Sequence, residues 1–387
     1  MPIFSTTSES EFISQYWQRH PLVFRQCFGD LAALINGNDL AGLACKHEVE
    51  SRIISGFEID GQWRCRQGPF QEKVFEQLPT NNWALLIQNI DYWDVGVRKL
   101  LSSFSFLPSW RLDDIMASYA PMGGGVGPHF DYYDVFLIQV SGSRKWKLGP
   151  SCDDTTALQD NQDVKLLAEF ECQQSHLLKP GDMLYIPAGH SHWGTALTDD
   201  CITLSVGFRA PSDKEIIQRA LENMMLDMNN PKRYPEHHRY RDSSLSMDAQ
   251  TSKINKHVLA NLPVNKIDSN QLTNSIERAF GELVTKPSDL VQDELENANA
   301  NQTKQNHPDS DDLAGISNEI KLNRPAGFRF AYSDSYLFVN GVAFESDESF
   351  ARTVCDGVLK PPFTSQQQAL IIDLLEQNFL RLEGIDV

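Results

Sequence analysis

The sequence predicts an α+β protein: a jelly-roll (double-stranded β-helix) barrel, then a helical segment, then a winged-helix-like domain. Three observations carry that reading. Short strand-like runs separated by glycine and proline recur between about residues 111 and 210. The pattern turns helical at Ser212. In roughly the last hundred residues, helices accompany two strands joined by a turn. At 387 residues the chain suits two or three domains, with boundaries expected at 1–210, 211–268 and 269–387.

The segment SESEFISQYWQRHP opens the ordered part as a helix. Ser8 is its N-cap, Phe12, Tyr16 and Trp17 form an apolar stripe, and Pro21 ends it. From there to about residue 110, apolar runs such as Pro21–Phe24 and Trp83–Ile90 mix with turns and helical pieces in no readable order. The barrel core follows, with strands expected at Ile115–Ala120, Val135–Val140, Lys145–Leu148, Ser175–Leu178, Met183–Ile186 and Ile202–Phe208. The turns PMGGGVGP, SGSR, LGP, KPGD and PAG punctuate them.

Ser212 and Glu215 form a capping box ahead of a helix over Ile216–Met228. SMDAQTSKINKHVLANL and NQLTNSIERAFGELV read as two more helices. Residues 288–312 are acidic and rich in Asn and Gln, and they predict a disordered loop, because so little apolar surface cannot offset the entropy of ordering. The strands FRFAYS and YLFVNG, then the helices SDESFARTVCDG and TSQQQALIIDLLEQNFL, close the chain.

The net charge of −18 argues against a broad nucleic-acid surface, which needs clustered Lys and Arg. It suits a basic protein or peptide partner and serves solubility equally well. No apolar run reaches membrane-spanning length and the N-terminus lacks a signal-peptide pattern, so a cytoplasmic protein is expected. Seven dispersed cysteines without a CxxC pair read as reduced thiols.

Two short stretches carry chemistry. In GPHFDYYD, His129 and Asp131 share a face of extended backbone, about 7 Å apart along the strand. In GDMLYIPAGHSHWG, His190 and His192 follow a proline–glycine turn. Two histidines and one carboxylate on one face, with the remaining positions open, make the facial triad of non-haem Fe(II) sites. A glycine-rich approach, PMGGGVGPH, lets backbone crowd the site. Spacing alone leaves His190 and His192 even, since both point to the same face of any extended segment. His176 is a third histidine, more simply read as structural.

The run HFDYYDVFLIQVSGSRKWKLG, with GDMLYIPAGHSHWG and LSVGFRAP downstream, resembles the JmjC-type (cupin-4) ribosomal oxygenases. The resemblance covers most of the chain and implies a 1–210 catalytic domain, a dimerisation segment at 211–268, and hence a homodimer. It selects His192, giving the metal triad His129, Asp131 and His192. It implies Fe(II) as cofactor, 2-oxoglutarate and dioxygen as co-substrates, and succinate and carbon dioxide as co-products. A ferryl species would remove a hydrogen atom from an unactivated side-chain carbon and return a hydroxyl. The implied substrate is an arginyl residue of a large-subunit ribosomal protein. Histidyl hydroxylation or demethylation on the same fold, or a non-catalytic regulator, are the alternatives. Arg144 lies where the family places the cation for the distal carboxylate of 2-oxoglutarate, and a guanidinium fork suits it. Ser118 is the candidate for an added hydroxyl. Lys145 and Lys147 alternate to the other side. Tyr132, Tyr133 and Asp134 offer an acidic, aromatic rim for a guanidinium, although Tyr133 reads more simply as core. The C-terminal domain lacks a basic recognition helix, so no direct DNA binding is expected.

Overall fold

The computed structural model describes residues 8–31, 33–56, 62–160, 163–227, 269–300, 308, 310–325 and 327–382. It divides into two compact units. One is Met1–Ala210 with Pro287–Asn306 and Pro325–Gly327; the other is Pro211–Lys286 with His307–Arg324 and Phe328–Val387.

Eleven strands build the first unit: β1 Leu22–Phe24, β2 Ser51–Gly56, β3 Trp63–Gln67, β4 Trp83–Ile87, β5 Leu112–Ala120, β6 Asp134–Ser141, β7 Arg144–Ser151, β8 Gln174–Leu178, β9 Met183–Ile186, β10 His190–Ala196 and β11 Cys201–Phe208. Eight form an antiparallel sheet in the order β1-β9-β6-β11-β5-β4-β2-β3, and a smaller sheet runs β10-β7-β8. The short apolar runs of the first 110 residues therefore have a use. Leu22–Phe24 pairs with β9, and Trp83–Ile87 joins β5 to β2.

β6 is apolar on both faces because both are covered. Phe136, Ile138 and Val140 join a core with Phe12, Phe24, Leu40, Val97 and Phe104. Val135 and Leu137 turn the other way, onto Trp146, Leu148 and Leu178 of the small sheet. Ser8 caps the first turn as expected, its Oγ accepting the Glu11 N–H at 3.1 Å.

In the second unit the helices Asp213–Asp227 and Ser269–Thr285 pack together. Buried Glu282 accepts bonds from Arg219, Arg278 and Asn223 between them. Beyond lie β12 Ile320–Asn323, β13 Phe330–Tyr332, β14 Tyr336–Val339, β15 Val342–Glu345, β16 Val358–Leu359 and β17 Arg381–Leu382. The helices Glu348–Cys355 and Ser365–Glu376 cover them. β15 extends the expected pair of strands, because Asn340 and Gly341 both take positive φ and close a tight hairpin.

The disordered loop expected at 288–312 is corrected over its described part; 301–307 and 309 lie outside the described residues. Asp289–Ala300 is a helix, and Val291 and Leu295, one turn apart, are buried along it. A second short helix, Ser310–Ala314, buries Leu313. Val291 and Leu295 are four apart in sequence and so meet on one helical face. The helix expected from SMDAQTSKINKHVLANL, and most of 211–268, lie outside the described residues. Among the described residues no helix is long and apolar enough to cross a membrane.

Candidate metal centre

His129 and His192 are directly opposed. Each backbone N–H donates to the other's carbonyl, at 3.0 and 2.8 Å, so both imidazoles leave the same face, ring centroids 4.3 Å apart. Asp131 closes the group: its Oδ2 lies 4.0 Å from His129 Nε2 and 3.6 Å from His192 Nε2. One donor atom from each of the three lies within 4.8 Å of the others.

Both histidines present Nε2. His129 Nδ1 sits 2.9 Å from the Gly127 carbonyl and His192 Nδ1 3.0 Å from the His190 carbonyl. A carbonyl only accepts, so each Nδ1 carries a proton and each Nε2 is the atom turned toward Asp131. Burial, with His129 beside it, pushes the His192 imidazolium down to about 4, so the ring is neutral at pH 7. This donor set, two imidazoles and a carboxylate with one open side, fits a divalent transition metal.

The barrel interior next to this triad is polar in a specific way. Arg144, first residue of β7, is 4% exposed, and its Nε and Nη2 have no partner among the described residues. Trp146 Nε1 on the same strand and Ser118 Oγ on β5 are likewise buried and unpaired. A buried guanidinium without an anion is costly, so these donors fit an anionic guest between the sheets. Glycines bring the walls together: a Cβ on Gly125 would meet the Gly194 carbonyl at 2.2 Å, and one on Gly194 would meet the Trp146 ring at 2.6 Å. Lys145 and Lys147 face away, with Lys147 Nζ 4.8 Å from the Trp193 ring centre.

At the other end of β5, Asp114 shares the interior-facing side with Met116 and Ser118. It is buried and accepts from Gln88 Nε2 at 2.7 Å and Asn89 N at 3.0 Å. Burial, with Asp113 and Asp91 nearby, pushes it up to about 7. Tyr133 stands close to both Asp131 and Asp114; burial first and those carboxylates next hold its phenol well above its usual range.

The sequence reading missed Asp114, although alternation from Ser118 along one strand pointed to it. It also placed Asp134 on the rim. Asp134 is 2% exposed and accepts from Tyr185 and Gln18 in the core. Tyr132 is on the surface, bonded to Asp154 at 2.5 Å. Of the two histidines left even by spacing, His192 joins the triad and His190 does not: its Nδ1 lies 3.4 Å from Ser151 Oγ, beyond a register shift in the β10–β7 pairing. His176 bonds Gln174 on β8.

The sheets and the triad have the arrangement of a JmjC-type barrel, and residues 99–216 match the JmjC domain family. Among individual proteins it is similar to ribosomal oxygenases. It is 40% identical over 207 residues to a probable ribosomal oxygenase of Haemophilus influenzae, covering 53% of this chain and 50% of that protein. It is 40% identical over 212 residues to the ribosomal protein uL16 3-hydroxylase of Escherichia coli, covering 55% of each. These matches span about half the length of the curated relatives. The X-ray structure of E. coli YcfD superposes with a TM-score of 0.74 at 26% identity, over 99% of this chain and 100% of that one. A structure of the ribosomal oxygenase YcfD in complex with cobalt and 2-oxoglutarate gives 0.71 at 27% identity, over 98% and 99%.

Proposed function

We propose that this protein is an Fe(II)- and 2-oxoglutarate-dependent hydroxylase of an arginyl residue in a large-subunit ribosomal protein. The observation that carries the reading is the His129, Asp131, His192 triad opening onto a barrel that holds the buried, unpaired guanidinium of Arg144. His129, Asp131 and His192 would hold the iron. Iron loaded with 2-oxoglutarate supplies, with dioxygen, the oxidising power to hydroxylate an unactivated carbon, releasing succinate and carbon dioxide.

The chain's own residues do the rest. Arg144, with Ser118 as a second donor, pairs the distal carboxylate of 2-oxoglutarate and fixes its orientation. Trp146 and Leu148 wall the pocket and keep it dry. Asp114 and Tyr133 offer a carboxylate and a ring face to an incoming guanidinium, and its arrival draws the Asp114 proton off. The acidic chain favours a basic ribosomal protein.

A homodimer is supported by an uncovered apolar stripe. Ile217, Leu221, Met225 and Leu226 on one helix, with Leu272 and Ile276 on its neighbour, are 40–72% exposed. The order of strands and helices after residue 310 supports a winged-helix-like module. Its mixed charge favours protein contact over DNA, and a ribosomal target implies the cytoplasm.

Succinate release against a panel of ribosomal-protein peptides, with mass spectrometry of the products, tests the reading. One added oxygen on arginine is expected. Oxygen on histidine alone, or loss of lysine methyl groups, would assign one of the rival activities; no turnover with any peptide would leave the regulator.

A further inference from the structure

The two segments that carry the triad are not held together by continuous sheet. The β6–β9 ladder ends at the Val135–Ile186 pair. Pro187 follows and has no N–H to continue it. The pairing resumes in the same register at His129 and His192. Across the gap only Gly189 N reaches a backbone partner on the other segment, the Asp131 carbonyl at 2.7 Å.

The Asp134 carboxylate fills this gap. It begins β6, three residues after Asp131, and it faces the backbone N–H of Ala188 in the turn that leads to His192. Two consecutive amides of that turn thus face the segment bearing His129 and Asp131, and the Gly189 amide is hydrogen-bonded to it. Tyr185, on β9 just before Pro187, donates its hydroxyl to Asp134 Oδ1 at 2.5 Å. Gln18 completes the node, its backbone N–H donating to the Tyr185 oxygen at 2.7 Å and its side chain to Asp134 Oδ2 at 3.3 Å. Phe12 and Trp17 pack on the Tyr185 ring at 5.0 and 5.6 Å between centroids. Asp134 and Tyr185 are buried while Gln18 reaches the surface; burial pushes the Asp134 carboxyl up, and its hydrogen bonds and the positive charge of Arg111 oppose that.

We propose that Asp134, oriented by Tyr185, is a positioning residue for the metal centre: it holds the Pro187–Gly189 turn against the His129–Asp131 loop where the ladder lapses, and so sets the spacing of the three ligands. This rests on the metal-site reading above. Removing the tie leaves the three ligands in place and loosens their mutual geometry, an effect of the size seen when groups around metal ligands are changed, about 10–100-fold in affinity.

The test is titration of the full chain with Co(II), read by the visible absorption of the bound ion. Tyr185→Phe keeps the ring and its packing and deletes only the hydroxyl. Asp134→Asn keeps the shape and removes the charge. Phe24→Leu, in the same core cluster but outside the node, controls for lost stability. The expected result is saturable binding by the unsubstituted chain and a dissociation constant about tenfold weaker or more in the two node variants. Their band shape should change, and Phe24→Leu should melt lower yet bind normally. Cobalt affinity and spectrum in Tyr185→Phe indistinguishable from the unsubstituted chain would overturn the inference, even if Asp134→Asn fails to fold. Equal weakening in Phe24→Leu would also overturn it, by reducing the node to ordinary core. Absence of saturable binding in the unsubstituted chain would instead remove the metal site itself.

Discussion

His129 and His192, sixty-three positions apart, hold each other's backbone amides in one two-bond pair. That pair, rather than a long strand, aims both imidazoles at Asp131. A site built this way tolerates loss of a ligand side chain without loss of fold, because the backbone bonds remain. His192→Ala should therefore melt near the unsubstituted protein while Co(II) or Mn(II) affinity, measured by calorimetry, falls by more than about 100-fold, beyond the cost of changes outside the ligand shell.

Arg144 separates a functional from a structural role by the sign of a stability change. A charge buried without an anion destabilises the ligand-free fold. Arg144→Met should leave the melting temperature unchanged or raised, and metal affinity unchanged. Binding of 2-oxoglutarate, followed by calorimetry on the metal-loaded protein, should weaken about 10–100-fold, the worth of hydrogen bonds to a charged group. A large drop in melting temperature would assign Arg144 to the core instead.

Asp114 imposes a pH dependence. The unfolded chain loses this proton near 3.8, whereas the folded chain keeps it to about 7. Between those values the folded state binds more protons, so this group's contribution to stability falls as pH rises and levels off above about 7. A guanidinium binds the ionised carboxylate, so KM for an arginyl peptide should fall as pH rises through 7. Asp114→Asn should flatten both trends, measured by denaturant titration and by peptide kinetics across that range.

Glu282 joins two helices of the second unit. It is buried and accepts from Arg219 Nε at 2.6 Å and Arg278 Nε at 2.8 Å, with Asn223 Nδ2 at 3.0 Å. Glu282→Ala removes the anion. Both arginines are about a third exposed and can turn to water, which moderates the loss. The expected cost is at the low end of a broken buried pair, about 3 kcal/mol, in chemical denaturation of that unit. Metal affinity should not change.

Local pattern made the barrel strands legible, because alternation and Gly/Pro turns are recorded in adjacent residues. His129 and Asp131 were readable for the same reason. The choice between His190 and His192 was not, because it depends on which of them pairs opposite His129 from sixty-three positions away, and the register shift on the partner strand β7 leaves no periodic trace. Asp134 sits beside two tyrosines at a loop end and reads as rim. Its burial follows from Tyr185 and Gln18, fifty-one and one hundred and sixteen positions away. The helix at Asp289–Ala300 hid because composition averages away a stripe of two buried residues.

Gly194 makes the last prediction. Its Cα faces the Trp146 indole so closely that a Cβ would sit 2.6–2.9 Å from three ring carbons. Trp146 is 4% exposed and stands 5.8 Å from both the His192 ring centre and the Arg144 guanidinium carbon, so it has no cheap retreat. Gly194→Ala should cost about 1–3 kcal/mol by overpacking. By pushing the indole toward Arg144 and His192 it should also weaken 2-oxoglutarate and Co(II) together. Trp146→Phe removes the ring that carries those atoms. The double variant should then bind both ligands better than Gly194→Ala alone, a non-additive rescue expected only for side chains in contact. Additive losses in the cycle would mean that the glycine serves the strand backbone rather than the seat of the indole.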